Sequence, residues 1–311
     1  MVLHALGAQP CADDTVGQGD ARDSPTACEL CCVQMRPTRG VIAGAVLVLG
    51  LLVLAVVPHR DPLALDIDHG LTAVGAPLSP SQHGPLGTDQ LGRDVWARLA
   101  AGAGTSLEVA TLATLLALLI GVAVGLTAGY AGGWLDDVLM RLVDLVLAFP
   151  FLLLAILLAA LLREADLASS NAPVVLTLGV VGWTTMARVI RGKTLSLAKA
   201  EYVTAARAMG ASPVRVMLRH ILPNVAGIII VLVALGFAQN VLAESVLSYL
   251  GLGPPPPAPT WGRMLYEGRV YYRTAPWLSI APGIAIVAAV VGFNLLGEGL
   301  RDVFDPKERS R

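Results

Sequence analysis

Six apolar runs, each close to twenty residues long, leave this 311-residue chain few ways to fold. They fall near residues 40–58, 106–128, 138–161, 173–190, 225–248 and 278–298. About 20 apolar residues coiled as a helix cross the roughly 30 Å hydrocarbon of a bilayer. Inside lipid the backbone must satisfy its own polar groups, which a helix does. The runs therefore predict an all-α polytopic membrane protein with six transmembrane helices. Composition agrees, since 55% of the residues are hydrophobic and 14% are charged, far from the balance of soluble domains. The lipid bilayer is one expected partner; nucleic acid is not.

Orientation follows from the cationic residues, which favour the cytoplasmic side. With the N-terminus inside, 15 of the 22 Lys and Arg fall on inner segments, and Arg60, Arg93, Arg98, Arg163, Arg263, Arg269 and Arg273 fall outside. Both termini are thus expected in the cytoplasm. Residues 1–34 are polar, carry Asp13, Asp14 and Asp23, and read as a disordered tail. All four cysteines, Cys11, Cys28, Cys31 and Cys32, lie in that tail. A reducing compartment argues against disulfides. Cys28 and Cys31 have ligand spacing, but one such pair without a second does not define a metal site, and no metal is expected. Met35, followed by RPTRG and the first apolar run, is an alternative start. No removable signal precedes that run, so it is read as a retained helix. The expected organisation is a tail over 1–34, a first helix and outer loop over 35–105, a core of five helices over 106–306, and a short tail over 307–311.

Between the fourth and fifth runs lies a segment too polar to cross lipid, Glu201–Asn224, within a cytoplasmic loop over 199–224. Glu201 to Met209 contains good helix formers and no proline. Gly210 supplies the left-handed residue that ends a helix. Ser212 and Pro213 then suit the N-cap and first position of a second helix, which is expected to run into Pro223. Ala205 and Ala206, flanked by Glu201 and Arg207, offer a small-residue face that another protein can approach closely.

This corner resembles the cytoplasmic loop of the membrane subunits of ATP-binding-cassette importers, whose pattern is Glu-Ala-Ala, three residues, Gly, nine residues, Ile, one residue, Leu-Pro. Ala205, Ala206, Gly210, Leu222 and Pro223 fall on it; Thr204 stands for the Glu and His220 for the Ile. The resemblance implies the type I importer permease fold and makes the first helix, with Gly210, Ser212 and Pro213, the coupling element that docks on an ATPase subunit.

The loop before the second span contains Gly87, Thr88, Asp89, Gly92, Arg93 and Asp94. Asp89 and Asp94 can accept backbone or Arg93 hydrogen bonds around two glycine turns. Two readings stay open: a locked surface loop, or a contact for a delivered substrate or its carrier. The order Gly-Thr-Asp, two residues, Gly-Arg-Asp resembles the dipeptide, oligopeptide and nickel branch of these permeases. The closing segment at Asn294, Gly297, Gly299, Leu300, Arg301, Asp302, Asp305 and Pro306 resembles it too, as does LAESVLSYLGLG around Glu244.

In the second run Gly121, Gly125 and Gly129 recur at steps of four, a stripe that lets another helix come close. Asp144 within the third run needs a partner, with Arg141 the near candidate and a partner subunit the alternative. Pro150 is expected to kink the same helix. Glu244 is read either as an acid at the outer mouth for a peptide ammonium group or as a hydrogen-bonded interface residue. Trp261, Tyr266, Tyr271, Tyr272 and Trp277 in the last loop suit either interfacial anchoring or a docked carrier, on a short helix near 262–272. Gly192-Lys193-Thr194 is a decoy for a phosphate loop, because Ala187 occupies the position of the required glycine and a helix precedes it.

Membership of this branch implies a bacterial cell-membrane subunit without catalytic residues or a bound cofactor. It implies a heterodimer with a homologous permease, two ATPase subunits that hold ATP and Mg, and an extracytoplasmic substrate-binding protein. The expected function is a permease subunit of an ATP-driven importer for dipeptides or oligopeptides. Nickel or another peptide-like solute is the alternative within the branch. An ion-gradient-driven secondary transporter and a structural scaffold are the alternatives outside it.

Overall fold

A computed structural model describes residues 37–57, 60–80, 84–164 and 170–304, all within the unit Arg36–Arg311. The expectations placed on the tail, its cysteines and Met35, and those on Asp305 and Pro306, lie outside these residues. Ten α-helices follow in order among the described residues: α1 Pro37–Val56, α2 Val95–Ala131, α3 Gly133–Leu147, α4 Phe151–Glu164, α5 Ala172–Leu197, α6 Glu201–Ala208, α7 Pro213–Val216, α8 Leu222–Tyr249, α9 Trp261–Gly268 and α10 Trp277–Phe304. A π-turn, Met217–Ile221, joins α7 to α8, and a 3-10 turn, Arg269–Tyr271, follows α9. The described residues contain isolated bridges but no strand.

Hydropathy alone misplaces several boundaries. The second apolar run was expected to begin at 106, yet α2 starts at Val95, where Asp94 accepts from the N–H groups of Trp96 (2.8 Å) and Ala97 (3.3 Å) and caps it. Its 37 residues make a rod of about 55 Å at 1.5 Å per residue, well beyond the hydrocarbon thickness. The boundary expected between 105 and 106 therefore falls inside a helix. The third run is not one kinked span: α3 and α4 meet at 88° around Pro150. Proline has no N–H and its ring clashes with the preceding turn, so the break centres there. Four helical spans among the described residues are long and apolar enough to cross a membrane, or five if the bent α3–α4 pair is one broken span, and Gly40–Val56 is a shorter apolar helix.

The fifth span also starts earlier than expected. Pro213–Tyr249 runs as one continuous helical stretch because the π-turn absorbs Pro223, with the Leu222 N–H donating to Met217 O. A widened turn accommodates the proline without a break.

The longest packing seam joins α2 and α5. A Cβ on Gly121 would lie 2.7 Å from Met186 Cβ, one on Gly125 2.7 Å from Ala187 O, and one on Gly129 2.7 Å from Thr194 Cβ. The glycine stripe thus faces α5, as helix packing in lipid favours. Toward the α2 N-terminus the core is built from Leu99, Leu107, Phe237, Trp261, Met264 and Leu278. Toward its C-terminus it comprises Trp183, Met186 and Ile190 with Val203, Val216 and Ile221.

Candidate functional site

The corner at the C-terminal end of α2 forms from local chemistry. After α6, Gly210 adopts φ +82°, where a β-carbon is strained. The Ala211 N–H donates to Ala206 O at 3.1 Å and the Gly210 N–H to Arg207 O at 3.0 Å, which closes the helix end in a Schellman pair. Ser212 takes the N-cap position with extended backbone, and Pro213 opens α7. The Ser212 side chain makes no capping hydrogen bond, so its contribution is backbone shape alone.

One side of this corner is embedded. Val203, Val216 and Ile221 are fully buried against Trp183, Met186 and Ile190, and the Arg207 guanidinium sits 4.4 Å over the Tyr130 ring near the end of α2. The opposite side is open, with Glu201, Tyr202, Thr204, Ala205, Ala208 and Met209 exposed. Met209 is 83% exposed, an unusual state for a large apolar side chain. The expected alanine face needs one correction: Ala206 is buried in the corner's own underside, so Ala205 and Ala208 are the small residues presented outward. Leu222 is half-buried and Pro223 exposed, on the helix beyond the π-turn.

At the other end of α2 the Gly87–Asp94 loop is locked by its own charges. Asp89 accepts from the Leu91 N–H (2.9 Å), the Arg93 N–H (3.0 Å), Arg93 Nε (2.7 Å) and Arg98 Nη1. Glu267 of α9 completes the cluster, 3.2 Å from Arg93 and 2.8 Å from Arg98. Thr88 Oγ1 donates to Gly70 O at 2.5 Å and accepts from the Leu78 N–H at 2.8 Å. A β-carbon on Gly92 would lie 2.0 Å from Asp66 O, so only glycine fits. These bonds make the locked-loop role concrete and tie the loop to α2 and α9. Sequence reading missed Arg98 and Glu267, whose signal is weak: a lone cation in an apolar stretch and an acid far along the chain.

Trp261 was expected among exposed aromatics, but it is fully buried, its Nε1–H donating to Leu99 O at 3.1 Å and its ring lying against Gly102. Tyr266 and Tyr272 remain exposed and carry Arg269 and Arg273 over their rings. Glu244 is likewise fully buried, not at an open mouth; Oε1 accepts from Ser248 Oγ at 2.5 Å, and Oε2 has no hydrogen-bond partner among the described residues.

Asp144 pairs with Arg188 of α5 at 2.5 Å, and not with Arg141 on its own helix. Arg191, just before the phosphate-loop decoy, instead grips Asp136 of α3 through two guanidinium nitrogens, one at 2.6 Å to Oδ2. These pairs bind α3 to α5, and sequence spacing could not reveal them because their partners are 44 and 55 residues apart.

Comparison with known proteins decides what such a bundle is. Residues 121–310 match the family of binding-protein-dependent transport system inner membrane components. The chain belongs to that family. It is 37% identical over 278 residues to a dipeptide transport system permease protein of Alkalihalophilus pseudofirmus, covering 89% of each chain. It is 42% identical over 264 residues to an oligopeptide transport system permease protein of Escherichia coli, covering 85% of each. A glutathione transport system permease protein of Shigella flexneri is 42% identical over 228 residues, 73% of this chain and 74% of that one. This permease is therefore a multi-pass membrane component of a transport system, with the type I importer fold.

Proposed function

We propose that the chain is the membrane permease subunit of an ATP-driven peptide importer, and that α6 with the Gly210 corner is where it receives mechanical work. The observation that carries this reading is the two-sided corner: an exposed, small-residue and methionine-bearing face backed by side chains sunk into the α2–α5 core. A push on that face moves a packed unit, because close-packed interiors transmit displacement. The pusher is an ATPase subunit on the cytoplasmic side, two of them serving this permease and a homologous partner. The corner and both termini then face the cytoplasm, and the Asp89–Arg98–Glu267 end faces an extracytoplasmic binding protein that delivers cargo. ATP and Mg act in the ATPase subunits; this chain supplies path and lever and no bound cofactor. The peptide names of the related permeases support peptide cargo over nickel.

A ligand can drive the cycle only through different affinities for the two states of the bundle. Reconstitution in proteoliposomes tests the reading. Labelled trialanine uptake is expected only with ATP, the ATPase subunits and the loaded binding protein together. Uptake that follows an imposed proton gradient without ATP would establish a secondary transporter instead, and no flux at all would leave a scaffold.

A further inference from the structure

The break between α3 and α4 interrupts the third apolar run, with Pro150 at its centre. Among the described residues, the Ala148 N–H donates to Asp144 O and the Phe149 N–H to Val146 O, while no N–H reaches the carbonyls of Leu147 or Ala148. Exposed to hydrocarbon, such carbonyls are costly; they are tolerated where they line a watered cavity or other protein. A cavity of about 160 Å³ lies there, bounded by Phe149 and Phe151 at the break, Thr184 and Thr185 of α5, and Gln239 and Asn240 of α8.

The two neighbouring helices carry matching chemistry. On α5 the exposed residues from the cavity onward include Thr185, Arg188, Gly192 and Ser196, which share one face at helical spacing. On α8 Gln239 is the one polar residue in an exposed face with Leu235 and Leu242. Asn240 is buried and held by Thr114 Oγ1 at 2.9 Å, which fixes the rotation of α8 and with it the direction of Gln239. The Asp144–Arg188 pair, with side chains 66% and 53% exposed, stands just beyond. Ionised and amide groups on membrane-spanning helices belong against water or protein and not lipid.

We propose that this broken-helix cavity is a cargo-gripping site in the translocation path, where Thr185, Gln239 and the Leu147 carbonyl hydrogen-bond the backbone amides of a peptide. The cavity's lining is mostly apolar and uncharged, and the Thr185 hydroxyl and Gln239 amide at its exposed side match peptide N–H and C=O groups and select no ionic side chain. Its volume is below the roughly 300–1,000 Å³ of a complete small-molecule pocket, so it forms one wall and the partner permease supplies the other. Phe149 and Phe151 flank it as apolar contacts for cargo side chains. The inference rests on the peptide-importer reading and deepens it.

The test uses the full transporter in proteoliposomes, with the four tail cysteines replaced by serine and single cysteines introduced by Thr185→Cys, Gln239→Cys or, as a control on an exposed apolar position of α2, Leu119→Cys. A charged methanethiosulfonate reagent is expected to label the first two and not the third, and excess trialanine delivered by the binding protein is expected to protect them. Gln239→Leu is expected to raise the KM for trialanine uptake about tenfold through lost hydrogen bonds, with ATP hydrolysis still stimulated by the loaded binding protein. Absence of labelling at 185 and 239, or labelling that trialanine leaves unchanged while the parent transports it, overturns the site. Absence of trialanine uptake by the parent is a separate readout; it refutes the peptide reading and the cargo class named here.

Discussion

Replacing Asp89 with alanine is the sharpest perturbation of the locked end of the bundle. Asp89 is 3% exposed and neutralises two guanidinium groups, of which Arg98 is 2% exposed. Its removal leaves Arg93 and Arg98 sharing Glu267 alone, so one positive charge stays buried without compensation. The N–H groups of Leu91 and Arg93 lose their acceptor as well. Breaking a buried ion pair by removing one member costs about 3–5 kcal/mol. At about 2–4 °C per kcal/mol, the thermal midpoint of the detergent-solubilised permease, followed by tryptophan fluorescence, falls by at least about 6 °C. Adding Arg98→Met in the same chain removes the orphaned cation and restores about half of the loss or more, since an apolar replacement of a buried pair is often near neutral. A midpoint within about 2 °C of the parent for Asp89→Ala would refute the reasoning, because a loss that small, below about 1 kcal/mol, is the mark of a solvent-screened pair.

Three further outcomes follow from the geometry. Gly210→Val keeps membrane insertion but abolishes ATP-dependent uptake, because a β-branched residue resists φ near +82°; normal uptake by this variant would contradict the corner. Gly125→Leu places its β-carbon about where Ala187 O and Ile190 Cβ already sit at 2.7 and 2.8 Å; overpacking of at least about 1–3 kcal/mol is expected to reduce recovery of folded protein on size-exclusion chromatography, whereas full recovery would argue against a tight α2–α5 seam. Arg207→Ala removes a stack worth about 0.5–1 kcal/mol at an exposed site, so the melting midpoint moves little while uptake per ATP hydrolysed falls, and an unchanged uptake ratio would deny Arg207 a part in the lever.

Much of this architecture was legible before any coordinates because lipid imposes few choices. The apolar runs marked where helices lie though not how many cross, and Gly210 with Pro213 marked the corner through backbone preferences that act within a few residues. The glycine stripe on α2 announced a helix neighbour, though not that it would be α5. What stayed hidden depends on contacts between distant segments. Arg98 sits in a stretch whose hydropathy concealed the first turns of α2, and only the arrival of Asp89 and Glu267 makes its burial tolerable. Asp144 found Arg188 across a helix interface, where local spacing pointed to Arg141. Trp261 was read by composition as an interfacial anchor or a contact for a docked carrier, yet the absence of a side chain at Gly102 opens the slot that buries it. Pro150 signalled a disturbance, but a proline permits anything from a kink to a break, and the surrounding packing sets the angle.

The lever claim is tested most directly by photo-crosslinking at Met209 in the assembled transporter. With p-benzoylphenylalanine at that position, a covalent adduct is expected between this permease and an ATPase subunit, and none from the same probe at Leu119. An adduct only to lipid or to the partner permease would contradict the assignment of the Gly210 corner as the ATPase docking element.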